Sequence, residues 1–395
     1  MPSPNVFSTL NTKSAIWEAE TRQKNIAVDL RSLHSTEFSG VESFAVNVLE
    51  ELLGEDHENG YKLFYNGFKL KKFEYFHFIN AQYKQTRIPN RLLNLSLKLF
   101  GVPKLEKLTG PCDVLFMPNW NMLAVDPATK VVLTVHDISP QVVPQYYTWK
   151  ARAWHHFINI PKLLKRANKL IAVSEFTKTS LIENLKVPAD KIVVAPLGVD
   201  HENYRPNLSV DKLRDVRNRY GLPGDFVLFV GTVEPRKNLS RLIEAIEQLD
   251  EPISLVIAGR LGWKYAGLLK QINRSPKRRS IILLGYVPES DKPYILKLAS
   301  VFAYPSMYEG FGLPILEAMA VGTPVITSNV SSLPEVAGDS ALLINPYNVS
   351  DIADGIKRLH TDAQMREYYI TKGIERSHQF TWAKCAAIVK SVINI

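Results

Sequence analysis

The sequence predicts an α/β protein built from two parallel sheets in tandem, facing one another across a cleft. Three observations lead there. The chain has 395 residues, more than one ordinary hydrophobic core accommodates. Short, nearly continuous apolar runs alternate with helical segments, which is the pattern of parallel strands covered on both faces. The alternation begins near Ile26, halts over Pro196-Leu-Gly-Val-Asp200 through Pro206, and begins again at Phe226.

In the first half, Ile26 to Leu30 reads as a strand, followed by a loop through Ser39-Gly40-Val41 and an amphipathic helix from Ser43 to Leu53. Strands are expected at 114–117, 131–135, 169–173 and 191–194, with helical pattern over much of 145–167 and a helix at 175–185. The second half opens with a short helix at 211–220 and a strand at 226–230. A helix then carries Leu239, Leu242, Ile243, Ile246 and Leu249 on one face. Further strands fall at 253–258, 280–284, 300–304 and 324–328. Residues 1–24 read as an extension, 25–200 as the first domain and 201–377 as the second.

Composition narrows the function. With 46% hydrophobic and 22% charged residues the chain is ordinary globular material, not a disordered one. Cys112 and Cys385 are its two cysteines, which excludes a disulfide framework or a thiolate metal cluster and suits a reducing, cytoplasmic setting. No run of 18 apolar residues occurs, and residues 1–24 lack the apolar core of a secretory signal. The net charge of +9 is concentrated over 62–107, where ten basic residues face Glu74 and Glu106 with aromatics interleaved. Such a stretch suits peripheral contact with the inner face of a membrane, or an acidic or lipid-diphosphate acceptor; the plain alternative is a solvated face over an aromatic core. No nucleic-acid motif accompanies the charge, so nucleic acid is not an expected partner.

The most informative segment is Tyr308-Glu-Gly-Phe-Gly-Leu-Pro-Ile-Leu-Glu317. Gly310 and Gly312 permit positive φ and close backbone approach, and Pro314 suits the first turn of a helix. The unpaired amides of that helix form an anion site, with Glu309 on the loop before it and Glu317 one turn in. Carboxylates beside an anion site make sense where they accept hydrogen bonds from hydroxyls attached to a phosphate, as in a sugar nucleotide.

Together with Val227-Leu-Phe-Val-Gly-Thr-Val-Glu-Pro-Arg-Lys-Asn238, Gly322-Thr-Pro-Val-Ile-Thr327 and Pro334-Glu-Val-Ala-Gly338, this segment resembles the retaining nucleotide-sugar glycosyltransferases of family 4. The resemblance runs from Ile26 onward and implies the GT-B architecture, two Rossmann-like domains across a cleft. It also implies that Phe380-Thr-Trp382 starts the return of helix 378–395 onto the first domain. By this resemblance Glu309, His136 and Lys237 are catalytic. Glu309 would touch donor-sugar hydroxyls, Lys237 and Arg236 would neutralise the diphosphate, and His136 in Thr134-Val-His-Asp-Ile138 would bond a donor hydroxyl. Gly310, Phe311, Gly312 and Leu313 would hold sugar and diphosphate, Glu317 the ribose, Tyr286 and Val287 the base. Arg260 and Gly40 would line the donor site, Ser174 and Lys178 the acceptor side.

Two departures stand out. Thr232 follows Gly231 where many relatives carry arginine, which favours Lys237 over Arg236, and Glu42 replaces a usual glycine, so that Gly40 is the safer donor contact. There is no Asp-x-Asp metal signature, so no metal or other cofactor is expected. The expected partners are a nucleotide-sugar donor and a glycan or lipid-linked saccharide acceptor. The form Gly-Thr-Val-Glu-Pro-Arg-Lys-Asn with Gly262-Trp263 resembles mannosyltransferases of bacterial surface-polysaccharide assembly and favours GDP-mannose. The alternatives are a UDP-glucose or UDP-N-acetylhexosamine enzyme, or a non-catalytic nucleotide-sugar binder.

Overall fold

The structure is a computed structural model and describes residues 23–33, 40–67 and 78–395. Thirteen strands among these residues form two all-parallel sheets. The first contains β1 (Asn25–Asp29), β2 (Gly60–Asn66), β3 (Ala81–Thr86), β4 (Val114–Met117), β5 (Lys130–Val135), β6 (Lys169–Ala172) and β7 (Ile192–Val194), in the order β3-β2-β1-β4-β5-β6-β7. The second contains β8 (Phe226–Val230), β9 (Ser254–Ala258), β10 (Ile281–Gly285), β11 (Val301–Tyr304), β12 (Val325–Ser328) and β13 (Leu342–Ile344), in the order β10-β9-β8-β11-β12-β13.

The apolar runs explain this arrangement. Strands such as Val114-Leu-Phe-Met117 and Val301-Phe-Ala-Tyr304 are buried at every residue, as strands with helices on both faces must be. Helix Gly40–Glu55 buries Phe44, Ala45, Val48, Leu49, Leu52 and Leu53 against the first sheet, and helix Leu239–Gln248 buries Leu239, Leu242, Ile243, Ala245 and Ile246 against the second. In both sheets the order reverses beside the first strand, at β1/β4 and at β8/β11, so the carboxyl ends of these strands open a crevice where ligands bind in such folds.

The chain does not part cleanly into two successive pieces. After the second sheet, helix Trp382–Ile393 returns to pack on Gly40–Glu55 in the first half, and its Trp382 ring meets Phe44 edge-on with centroids 6.5 Å apart. The crossing point is tight: Val199 bridges Thr381, and a Cβ on Gly198 would lie 2.1 Å from the Trp382 nitrogen.

Strands β2, β3 and β13 and the helix Asn90–Leu99 are absent from the reading of the sequence. The first of these corrects the basic, aromatic stretch at 62–107. Tyr61, Phe64 and Tyr65 point into the core of the first sheet, so that part of the stretch is the interior of a strand and not a surface. Phe68, Phe73, Tyr75 and Phe76 lie outside the described residues, as does Ser39 in the first loop. Among the described residues no helix is long and apolar enough to cross a membrane.

Candidate active site

The two glycines of the 308–317 segment serve different needs. Gly312 has φ 109° and stands at the N-terminus of helix Leu313–Ala320, where no side chain caps the first turn. Gly310 is where the halves touch: a Cβ there would lie 1.7 Å from the His136 carbonyl oxygen. Ser331 and Ser332 hold the loop from below. The Ser331 hydroxyl accepts from the Glu309 amide at 3.2 Å, and the Ser332 hydroxyl donates to the Glu309 and Phe311 carbonyls at 3.0 and 2.8 Å.

Each glutamate of the motif has its own lysine. A 3-10 turn, Pro235–Lys237, ends β8's loop and aims both basic side chains at Glu309: Lys237 Nζ donates to Oε1 at 2.6 Å and Arg236 Nη1 to Oε2 at 2.8 Å. Asn238, at φ 62°, fixes the turn by donating to the Pro305 and Pro346 carbonyls at 3.0 and 2.7 Å. Eight residues on, Glu317 Oε1 accepts from Lys292 Nζ at 2.8 Å, while the buried Oε2 has no hydrogen-bond partner among the described residues.

The electrostatics follow from this pairing. Burial pushes the Glu309 carboxyl up, but Arg236 and Lys237 outweigh it and hold the group down at about 2. Burial, with Arg236 alongside, lowers the Lys237 ammonium, and Glu309 opposes them. At Lys292 the balance goes the other way: burial lowers it, yet the Glu317 carboxylate raises it well above its ordinary value.

The opposite wall comes from the first half. His136, at the end of β5, is half-buried, and burial lowers its pKa, so the ring is neutral near pH 7. Its Nε2 lies 2.9 Å from the Pro118 carbonyl, which can only accept, so Nε2 carries the proton and Nδ1 is the acceptor. Asp137 braces its own loop, accepting from the Ser139 amide at 2.8 Å.

A cavity of about 380 Å³ lies between these walls. Gly40, His136, Arg236, Lys237, Arg260, Tyr286, Val287, Glu309, Gly310, Phe311, Gly312, Leu313 and Glu317 all line it. Ser174 and Lys178 do not. The Ser174 hydroxyl, fully buried, donates to the Gly310 carbonyl at 2.6 Å, and Lys178 pairs with Glu175 on its own helix at 3.7 Å. The reading of the sequence missed Lys292, Glu289 and Glu234, which also line the cavity, and Tyr304, whose hydroxyl accepts from Lys237. Lys292 was findable: it sits seven residues beyond Gly285, just past the end of β10, where ligand-facing loops belong.

The walls are closed on one another. Thr177 Oγ1 donates to the Gly310 carbonyl at 3.0 Å, and the Glu335 carboxylate accepts from the amides of Glu175 and Phe176 at 2.9 and 3.1 Å. On the other side of the cavity Trp263 Nε1 donates to the Tyr146 carbonyl at 2.7 Å and the Trp263 ring stacks on Tyr147 at 5.4 Å.

Two parallel-sheet halves closing on a shared cleft define the GT-B class of fold. Anabaena HepE in complex with UDP and glucose superposes with a TM-score of 0.72 at 19% identity, covering 94% of this chain and 99% of that one. WaaG, a glycosyltransferase involved in lipopolysaccharide biosynthesis, gives 0.70 at 15% identity, covering 93% and 99%. At these identities the likeness is one of fold. Sequence adds the family: residues 38–203 match Glycosyltransferase Family 4 and residues 215–376 match Glycosyl transferases group 1. O-antigen chain mannosyltransferase B of Escherichia coli is 37% identical over 261 residues, 65% of this chain and 68% of that protein. The serotype-specific mannosyltransferase WbdA of Escherichia coli is 28% identical over 263 residues, and the match spans only 32% of its length. The chain belongs to glycosyltransferase family 4 and is mannosyltransferase-like within it.

Proposed function

We propose that the protein transfers a hexose, mannose from GDP-mannose before all others, from a nucleotide sugar to a hydroxyl of a glycan or lipid-linked acceptor in surface-polysaccharide synthesis, in the cytoplasm and with retained anomeric configuration. The observation that carries the reading is the pair of buried carboxylates, each matched to a cation, flanking uncapped helix amides on one cleft. The mannosyltransferase relatives support the sugar, and GDP is the finer expectation.

In this reading the diphosphate meets the amides at Gly312–Leu313 and draws Lys237 and Arg236 from Glu309, which frees Glu309 for the sugar hydroxyls. Glu317 Oε2 receives a ribose hydroxyl, and Tyr286 and Val287 flank the base. Neutral His136 offers Nδ1 to a sugar hydroxyl from the facing wall. The bond from the anomeric carbon to the phosphate oxygen breaks, the acceptor oxygen bonds that carbon from the same face, and the acceptor proton passes to the departing phosphate. Lys237, Arg236 and the helix amides supply the positive charge that a divalent cation would otherwise bring.

A melting-temperature screen over GDP, UDP and ADP sugars tests the donor, because a ligand of the folded state alone raises the transition. GDP-mannose is expected to give the largest rise; a larger one with UDP-glucose would assign the chain to the other donor class. The anomer formed, followed by NMR, tests retention, and turnover that stops with a chelator and returns with magnesium would overturn metal independence.

A further inference from the structure

Among the described residues, one face of the first half is apolar, basic and exposed. Helix Asn90–Leu99 turns Leu93 into the core and presents Leu92, Leu95 and Leu99 outward, at the i, i+3, i+7 spacing of a single stripe. Leu92 is 61% exposed and Leu99 62%, and Phe100, which follows, is 74% exposed. Arg91 and Lys98, also a heptad apart, run beside the stripe. Lys98 joins the helix to its neighbour: Nζ donates to the Phe157 carbonyl at 2.7 Å and lies 5.1 Å from the centre of the Phe157 ring. That neighbour, helix Trp149–Ile158, exposes Trp154 next to Phe157, together with Lys150 and Arg152. No acidic residue occurs between Glu74 and Glu106, or between Asp137 and Glu175, so neither segment carries a negative charge.

We propose that this face seats the protein on an anionic lipid bilayer. The leucine stripe and Trp154 enter the boundary between headgroups and acyl chains, and Arg91, Lys98, Lys150 and Arg152 meet the lipid phosphates. Chemistry favours a bilayer over a soluble acidic partner. Charge alone would suffice for the latter, whereas a row of exposed aliphatic side chains flanked by cations is the pattern of an interfacial helix. Geometry connects the face to the site, since Tyr147, just before helix Trp149–Ile158, stacks on Trp263 at the cleft. The seat therefore brings the cleft near the surface on which a lipid-linked acceptor would reside, a consequence that rests on the proposed function although the surface argument does not.

Co-sedimentation with vesicles, without donor, tests it. The wild type should pellet with phosphatidylethanolamine vesicles holding about a quarter phosphatidylglycerol and hardly at all with phosphatidylcholine. Salt at about 0.5 M should weaken the binding roughly tenfold. Leu92→Glu with Leu99→Glu, both at exposed positions, should weaken it at least about tenfold, and Arg91→Glu with Lys150→Glu similarly. Failure of the wild type to pellet with anionic vesicles, or a leucine variant that binds like the wild type, overturns the proposal. So does a wild-type dimer that the leucine variant dissolves in the absence of vesicle binding, because a second copy would then occupy the stripe. The donor-induced melting shift, measured on the same variants, keeps the two readings apart: a shift without vesicle binding sinks only the membrane seat, and vesicle binding without a shift sinks only the donor assignment.

Discussion

The two walls of the cleft are made by different means. The wall from residues 226–345 is a set of buried charges already paired with one another: Arg236 and Lys237 on Glu309, Lys292 on Glu317. The wall from residues 25–199 offers mostly main chain, with the His136 carbonyl against Gly310 and the amides of helix Glu175–Leu185 against Glu335. The difference teaches a division of labour. In the proposed function the first wall takes the diphosphate by exchanging one set of charge partners for another, and the second, apart from the His136 ring, contributes by arriving against it.

The sharpest way to break that comparison is to remove the hub of the charged wall. Glu309→Ala should lower kcat/KM by about a thousandfold or more, equivalent to about 4 kcal/mol of transition-state stabilisation. It also leaves two buried cations short of a partner, so a stability loss of about 3 kcal/mol should accompany it. Glu309→Gln keeps the shape and separates the two effects by pH. Because the folded-state pKa is depressed to about 2 from 4.5, the carboxylate's contribution to stability is complete above pH 4.5 and is lost as pH falls toward 2. Urea melts of wild type and Glu309→Gln at about pH 6 and about pH 3.5 should show the gap narrowing at the lower value. A constant gap would mean that Arg236 and Lys237 do not hold the charge.

The arriving wall is tested at its point of contact. Gly310→Ala places a methyl group on the His136 carbonyl oxygen, and neither backbone can yield without parting the halves. Turnover should fall about a hundredfold as the closed geometry is lost, while donor binding to the charged wall persists in calorimetry. Full turnover by this variant would show that the walls need not meet there. A smaller effect belongs to Lys292→Ala, which frees Glu317 from its partner: the donor KM should rise about tenfold with kcat nearly unchanged, since the pair sits away from the reacting bond. A fall in kcat alone would move Lys292 into the chemistry.

How much of this could be read beforehand differs between the walls for the same physical reason. The charged wall lies on short loops at strand ends, with ligand-facing groups close together in sequence, so Glu309, Gly310, Gly312, Glu317 and the Arg236–Lys237 pair were legible as a pattern, and so was the turn at Gly312. Lys292 left a weaker trace, its place just past the end of β10, because a lone lysine at the start of a helix otherwise looks like any solvated charge until the fold brings it to Glu317. In the first half, strand β2 hid in plain view. Its Gly-Tyr-Lys-Leu-Phe-Tyr-Asn sequence mixes aromatics with a lysine and resembled a surface patch, whereas Tyr61, Leu63 and Phe64 are core and the amine of Lys62 reaches out to the Pro111 carbonyl. Edge strand β3, Ala-Gln-Tyr-Lys-Gln-Thr, has no buried residue and so no apolar signal to find. Contacts between the halves, such as Ser174 with Gly310, have no trace in one dimension at all.

The smallest expected effect falls on one of those contacts. Both oxygens of the Glu335 carboxylate accept from the first amides of helix Glu175–Leu185, so a negative charge from one half caps a helix of the other. The same helix start holds the Gly310 carbonyl through Ser174 and Thr177, which couples the cap to the loop that carries Glu309. Because the contact is solvent-exposed, a carboxylate at a helix N-terminus is worth about 0.3–1 kcal/mol there and is screened by salt. Glu335→Gln keeps one acceptor oxygen and loses the charge, so kcat/KM should drop only about two- to fivefold at low ionic strength. The deficit should shrink at about 0.5 M salt, where the wild type has lost most of the same advantage. Equal rates at low salt would show that this cap is not made in the state that turns over, and would leave Gly310 as the contact through which the arriving wall acts.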